Sequence, residues 1–318
     1  MTVSDIMPVP REPTVTTRHP LLSQDAAIVE AMRAASAARK GAIFGPEARA
    51  PFNAGLAAGT PASPGVLYRE DVVGGVPGWW CEPAEARPDA RLLFLHGGCY
   101  VLGSAESLRN FAGQFAARAQ ANTFVADYRL APENPFPAAI DDAVAAYRGL
   151  AEDARKIVVA GDSVGGGLTL ALLAILAGQG DRQQQPVGAA VMSPWTDLSL
   201  TGASLTTRAM ADPIFTKAVL AHFAALYLQG AVPTDPRASP LFGALPRAVP
   251  PIRIDVGEDE VLLDDALRYA RKLREADLNV TVHVWGGMPH VFQSALGSLS
   301  AAMACVDEIG AFLRNCLQ

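Results

Sequence analysis

The chain is short of the features that mark several classes of protein. Its 318 residues hold four cysteines, Cys81, Cys99, Cys305 and Cys316, and no two form a CxxC pair. That scatter argues against a disulfide framework and against a zinc site, so no metal is expected. Charged residues make up only 18%, and the net charge of −6 leaves no basic footprint for nucleic acid or an anionic membrane. The longest strongly apolar stretch, Leu168 to Ala177, falls well short of the roughly 20 residues that span a bilayer. The N-terminus, MTVSDIMPVPREPTV, lacks a cationic start followed by an apolar run, so it does not read as a signal peptide. A cytoplasmic protein is the expectation. Internal repeats are absent as well.

What is there is a core. Half of the residues are hydrophobic, which excludes global disorder. Residues 1 to about 20 read as irregular. A helix is expected from Ser23, as N-cap, to about Lys40, and residues 45–65 turn again to Gly, Pro and Ala. Strands are then predicted at Val66–Val73, Gly78–Cys81, Arg91–Leu95, Thr123–Ala126, Lys156–Ala160, Val187–Met192, Ile252–Val256 and Val280–Trp285. Helices are predicted at Ser107–Ala119, Ala138–Leu150, Gly165–Ala177, Lys217–Leu228, Leu262–Ala276 and Ser298–Leu317. Alternation of strand and helix, with continuous apolar runs such as KIVVAG, predicts an α/β fold: a mostly parallel sheet with helices on both faces. The stretch from Trp195 to Leu241 interrupts the alternation and reads as an insertion over the strand ends.

Ligands of such sheets sit at the carboxyl ends of the strands. After KIVVA comes Gly161-Asp162-Ser163-Val164-Gly165, a G-x-S-x-G between a strand and a helix. The glycines permit a tight turn that lifts Ser163 above the sheet, with the Val164 N–H facing the same space. A plain glycine-rich turn would also match, but the strand–turn–helix setting favours a nucleophile. Serine needs a base. His19 lies in the irregular arm, His222 within a helix, His283 in mid-strand and His96 before a glycine pair, whereas His290 falls in the loop after the last strand. The base needs a carboxylate to orient it, and Asp259 and Glu260, in the loop after IRIDV, are the two candidates. Asp264 and Asp265 are read as serving the first turn of the next helix. Gly97 and Gly98, after the strand LLFL, leave backbone N–H groups free to meet developing negative charge.

Five segments together carry a resemblance: HGGCY (96–100), DYRLAPENPFPAAIDDA (127–143), GDSVGGG (161–167), EVLLDD (260–265) and PHVF (289–292). Their order and spacing resemble the hormone-sensitive-lipase-like branch of the α/β-hydrolases, the bacterial family IV carboxylesterases, over about residues 65–318. That family carries H-G-G-G, Y-R-L-A-P-E, G-D-S-A-G-G, D-P-L-x-D and a late histidine. The resemblance implies an α/β-hydrolase core (61–194 and 242–318) under a helical cap built from an N-terminal arm (1–60) and the insertion (195–241). It implies Ser163 as nucleophile, His290 as base, and an oxyanion hole from the N–H groups of Gly98, Cys99 and Val164. The family's aspartate falls on Glu260, with Asp259 as the rival. Cys99 departs from the third glycine and Val164 from alanine. Trp195, Met210, Phe215 and Phe44 are candidates for the substrate pocket. Arg129 and Glu133 are expected to be structural ties.

The function expected is a serine carboxylesterase for small, short- to medium-chain esters, working through an acyl-enzyme without a cofactor. An amidase, deacetylase or lactonase would use the same triad. A non-catalytic receptor on this scaffold would be expected to lose its base. The resemblance also implies a homodimer through the edge strand around Val280–Trp285.

Overall fold

The apolar runs of the sequence become the inner strands of one sheet. The computed structural model describes residues 16–154, 156–178, 185–245 and 249–318. Among them are β1 (Thr16–His19), β2 (Val66–Val73), β3 (Val76–Pro83), β4 (Arg87–Leu95), β5 (Ala121–Ala126), β6 (Lys156–Asp162), β7 (Gly188–Met192), β8 (Ile252–Gly257) and β9 (Val280–Trp285). Their spatial order is β1-β9-β8-β7-β6-β4-β5-β3-β2. Only the β2–β3 and β3–β5 pairs are antiparallel. The carboxyl ends of β4, β6, β7, β8 and β9 therefore open toward one side, where the site is built.

Successive residues of a strand face opposite sides of the sheet. In β4, Leu92 and Phe94 join one core cluster and Leu93 and Leu95 the other, all fully buried. Each such side chain contributes about 1.5–3 kcal/mol of burial. Helices α3 (Ala105–Ala119) and α9 (Ser300–Cys316) cover the Leu92 face through Phe111, Phe115, Ile309 and Leu313. The opposite face is covered by α4 (Ala138–Ala151), α5 (Val164–Gly178) and α8 (Leu263–Glu275). Ser104 caps α3 by accepting from Ser107 N–H at 3.2 Å, with Ser107 Oγ returning the bond.

The arm and the insertion meet above the strand ends. The arm holds α1 (Ser23–Ala37) and α2 (Arg49–Gly59); the insertion holds α6 (Ser204–Thr207) and α7 (Lys217–Leu228). Lys40 donates to Ala209 O, Arg33 to Ala211 O, and His222 to Phe44 O. The arm is also anchored to the core. Buried Asp25 of α1 accepts from Ser300 and Ala301 N–H, both at 2.9 Å, which places a carboxylate on the amino end of α9. Arg49 pairs with Glu133 and donates to Val101 O and Ala131 O.

Four readings of the sequence are corrected here. Of the segment expected to be irregular, residues 1–15 lie outside the described residues, but 16–19 form β1. That strand pairs with β9, so Val280–Trp285 is not a free edge through which a second copy would dimerise. Residues 45–65 contain α2, whose Pro51 sits in its first turn, where a missing N–H does no harm. Ser23 is the first helical residue, not the cap, a place taken by Leu22. Asp264 and Asp265 lie in the first turn of α8, as expected, and they also accept from Ser204 N–H and from Thr196 and Asp197 N–H, tying the insertion down.

Candidate active site

The turn from β6 into α5 presents Ser163. Its φ of 55° is left-handed, a conformation that costs an ordinary residue free energy and that the surroundings hold in place. Ser163 N–H donates to Met192 O at 2.8 Å, and Ser163 O accepts from Gly167 and Trp195 N–H. The turn is tight because glycine allows it. A Cβ at Gly165 would lie 1.9 Å from Leu95 O, and one at Gly97 would lie 2.1 Å from an Asp162 carboxylate oxygen.

The loop after β4 comes alongside. Cys99 (φ 55°) and Tyr100 (φ 62°) are both left-handed, following Gly98 at 123°. The N–H groups of Gly98 and Cys99 donate to no acceptor among the described residues. Val164, first residue of α5, adds one of the helix's orphan donors. Asp162 ties the two loops together by accepting from Gly97 N–H at 3.0 Å, and burial pushes its carboxyl up to about 6. His96, fully buried, donates to Gly97 O at 2.7 Å and stacks on Tyr128, whose hydroxyl donates to His96 O. The Cys99 thiol is pushed up to about 12 by burial, with the nearby Asp162 carboxylate adding to it, so it stays protonated at neutral pH.

His290, in the loop after β9, donates from Nδ1 to Glu260 Oε2 at 2.7 Å. The other Glu260 oxygen accepts from Ser193 Oγ at 2.9 Å and Gly257 N–H at 2.6 Å. Nε2 of His290 is buried and has no hydrogen-bond partner, and His290 and Ser163 line the same cavity. Burial pulls the imidazole pKa down, but the charge and hydrogen bond of Glu260, with Asp212 and Asp162 nearby, outweigh it and raise the value above 6.5. Asp259 is turned elsewhere. It pairs with Arg33 of the arm and lies within 3.9 Å of Arg208.

The cavity has a volume of about 620 Å³. Phe44 and Phe215 line it, and the Phe215 ring meets the His290 ring edge-on with centroids 4.9 Å apart. Trp195 and Met210 do not line it. Trp195 is fully buried, its indole N–H spent on Asp197 O, and Met210 is 92% exposed on the outer surface. Two residues at the site escaped sequence reasoning. Ser193, at the carboxyl end of β7, holds Glu260 and accepts from Val291 N–H; its position after a parallel strand was the available signal. Asp212 accepts from Val261, Ile214 and Phe215 N–H, so it ties the insertion to the loop carrying Glu260.

A mostly parallel sheet with a serine turn after one inner strand, an acid after a later one and a histidine after the last has the chain order of an α/β-hydrolase. Residues 92–294 match the family described as alpha/beta hydrolase fold, and the chain belongs to that family. Its relatives narrow the class. It is 41% identical over 240 residues (74% of this chain, 79% of the relative) to an acetyl-hydrolase of Streptomyces hygroscopicus. It is 36% identical over 258 residues (79% and 83%) to an esterase of Acinetobacter venetianus. The crystal structure of an esterase from the bacterial hormone-sensitive lipase family superposes with a TM-score of 0.86 at 36% identity, covering 94% of this chain and all of that one. Within the family the chain is a hormone-sensitive-lipase-like ester hydrolase. No helix among the described residues is long and apolar enough to cross a membrane.

Proposed function

We propose that this ester hydrolase is a serine carboxylesterase in which Ser163 is the nucleophile, His290 the general base and Glu260 the orienting acid. Ser163 Oγ attacks the ester carbonyl while His290 Nε2 takes its proton. The imidazolium is stabilised by Glu260, and the oxyanion by the N–H groups of Gly98, Cys99 and Val164. His290 then returns the proton to the leaving alcohol. A water deprotonated by His290 attacks the acyl-enzyme, and the carboxylic acid leaves with Ser163 restored. The observation that carries this reading is the 2.7 Å bond from His290 Nδ1 to Glu260, with Nε2 left unpartnered in the cavity that Ser163 lines. The separation of roles between neighbouring acids follows: Glu260 is satisfied at the site, whereas Asp259 braces the arm.

The arm (1–60) and the insertion (195–241) act as the cap that encloses the substrate, and 61–194 with 242–318 as the catalytic core. An apolar cavity walled by Phe44, Phe52, Leu108, Phe111, Phe215 and Phe223 supports small esters with short to medium acyl chains. The activity in the name of the Streptomyces relative, an acetyl-hydrolase, supports the short end. The test is hydrolysis of p-nitrophenyl esters from acetate to decanoate by wild type and Ser163→Ala. Activity falling with chain length in wild type and absent from Ser163→Ala is expected. Equal activity in the two proteins would end the assignment.

A further inference from the structure

At the β1 edge of the sheet, potential metal ligands from three elements converge. His19 ends β1, His283 lies in β9, and Glu308 lies in α9. Nε2 of His19 is 3.0 Å from Nδ1 of His283, which is 3.8 Å from Oε2 of Glu308. One ligand atom from each residue falls within 4.8 Å of the other two. We propose that His19, His283 and Glu308 form a site for one divalent transition-metal cation of the zinc class, which staples the N-terminal strand to the sheet.

The distances carry the idea. Two ligand atoms on a tetrahedral ion, each about 2.1 Å from it, stand roughly 3.4 Å apart. The separations of 3.0 and 3.8 Å straddle that value, and the third lies within 4.8 Å, so side-chain rotation has to draw Glu308 and His19 together. Two imidazoles and a carboxylate suit zinc, copper or nickel, whereas magnesium and calcium take oxygen ligands. The 3.0 Å contact between the two ring nitrogens requires that at least one of them carry a lone pair, as a neutral imidazole ligand does. In the metal-free pair one ring must donate its N–H to the other. Loading the ion requires only that this ring move its N–H to its other nitrogen, and no proton has to leave.

The surroundings fit a cation. Arg253 is the positive group at hand, and it is bonded both to Asp255 and to Glu308 Oε2 at 2.7 Å, so two carboxylates face one guanidinium. Oε2 is the oxygen that faces the imidazoles, and a carboxylate oxygen has a second lone pair beside the one that Arg253 takes. Asp255 also accepts from the Trp285 indole, and it keeps Arg253 in place if Glu308 turns. The His19 ring is stacked on Trp285 at 3.7 Å and 4°, which fixes its orientation. The Glu308 side chain is 42% exposed, leaving an entry path and room for water as a fourth ligand. The benefit is local. β1 has four residues and pairs only with β9, yet it leads into α1 and the arm that walls the active-site cavity. The proposal does not depend on the triad.

The test uses untagged, chelator-stripped protein titrated with Zn²⁺ by calorimetry, with thermal melting in parallel. Wild type is expected to take up one Zn²⁺ per chain and to melt higher with it. His19→Gln and His283→Gln should each bind at least about tenfold more weakly and lose the melting shift, while hydrolysing p-nitrophenyl acetate normally without metal. Should either histidine variant fail to fold, Glu308→Gln, at an exposed position, carries the same comparison. Absence of stoichiometric binding in wild type, or binding unchanged in every folded variant, would overturn the proposal and leave a hydrogen-bonded imidazole pair.

Discussion

The floor and the roof of the cavity use glycine in opposite ways. On the floor, at the strand ends, glycines are there because nothing else fits: a Cβ on Gly161 would lie 2.4 Å from Gly165 O, and one on Gly165 1.9 Å from Leu95 O. On the roof, Gly55 of α2 lines the same cavity with nothing within 4 Å of an added Cβ. The floor is packed backbone against backbone, as a site that must hold donors within tenths of an ångström requires. The two pieces of the roof are held to each other by side-chain bonds such as Lys40 to Ala209 O and Arg33 to Ala211 O, and the roof leaves space. Under the proposed function, the floor sets the chemistry and the roof sets what fits.

The contrast can be broken at several points. The largest effect belongs to the floor's reacting groups: Ser163→Ala or His290→Ala should lower kcat on the order of 10⁴-fold or more, read in a p-nitrophenyl acetate assay. Next come the two adjacent acids. Glu260→Gln should cost about 10³- to 10⁴-fold in kcat, and Asp259→Asn, which loosens only ion pairs to Arg33 of the arm and Arg208 of the insertion, less than about tenfold. The pH profile separates them further. His290 must be neutral to act, so kcat/KM should rise with pH through a value above 6.5 in wild type. Without the Glu260 charge that limb should move to lower pH, whereas Asp259→Asn should leave it in place.

Smaller effects distinguish the glycines themselves. Gly165→Ala should destabilise by roughly 2–3 kcal/mol, because backbone must move to admit the methyl group. Gly55→Ala should stabilise by about 0.5–1 kcal/mol through helix propensity alone. Opposite shifts in thermal melting would sharpen the floor–roof distinction, and shifts of the same sign would remove it. The smallest effect is expected at Cys99. Cys99→Gly keeps the N–H and suits a φ of 55°, so activity should stay within a few-fold of wild type.

The floor was also the legible part of the sequence. Strands buried on both faces announce themselves as apolar runs: β7 and β8, expected at Val187–Met192 and Ile252–Val256, fall at Gly188–Met192 and Ile252–Gly257. The positions of Ser163, Glu260 and His290, the triad proposed above, were legible because each follows a parallel strand in chain order. The roof was not. β1 is four residues of TTRH, too short and too polar for periodicity, and its pairing with β9 is a tertiary fact. The same holds for the imidazole pair, whose members are 264 positions apart. Helix α2 hid behind its glycines and Pro51. Trp195 and Met210 were misplaced for one reason: an aromatic or apolar residue in an insertion fits a pocket, a core or a surface equally well until packing decides.

The central claim is that Ser163, and not Cys99, is the nucleophile served by His290 and Glu260. The most direct measurement is peptide mapping by mass spectrometry after treatment with a fluorophosphonate, on wild type and on Glu260→Gln. The account predicts one adduct per chain on Ser163, formed much more slowly in Glu260→Gln. An adduct on Cys99, no adduct on folded wild-type protein, or an equal rate in the two proteins would contradict it.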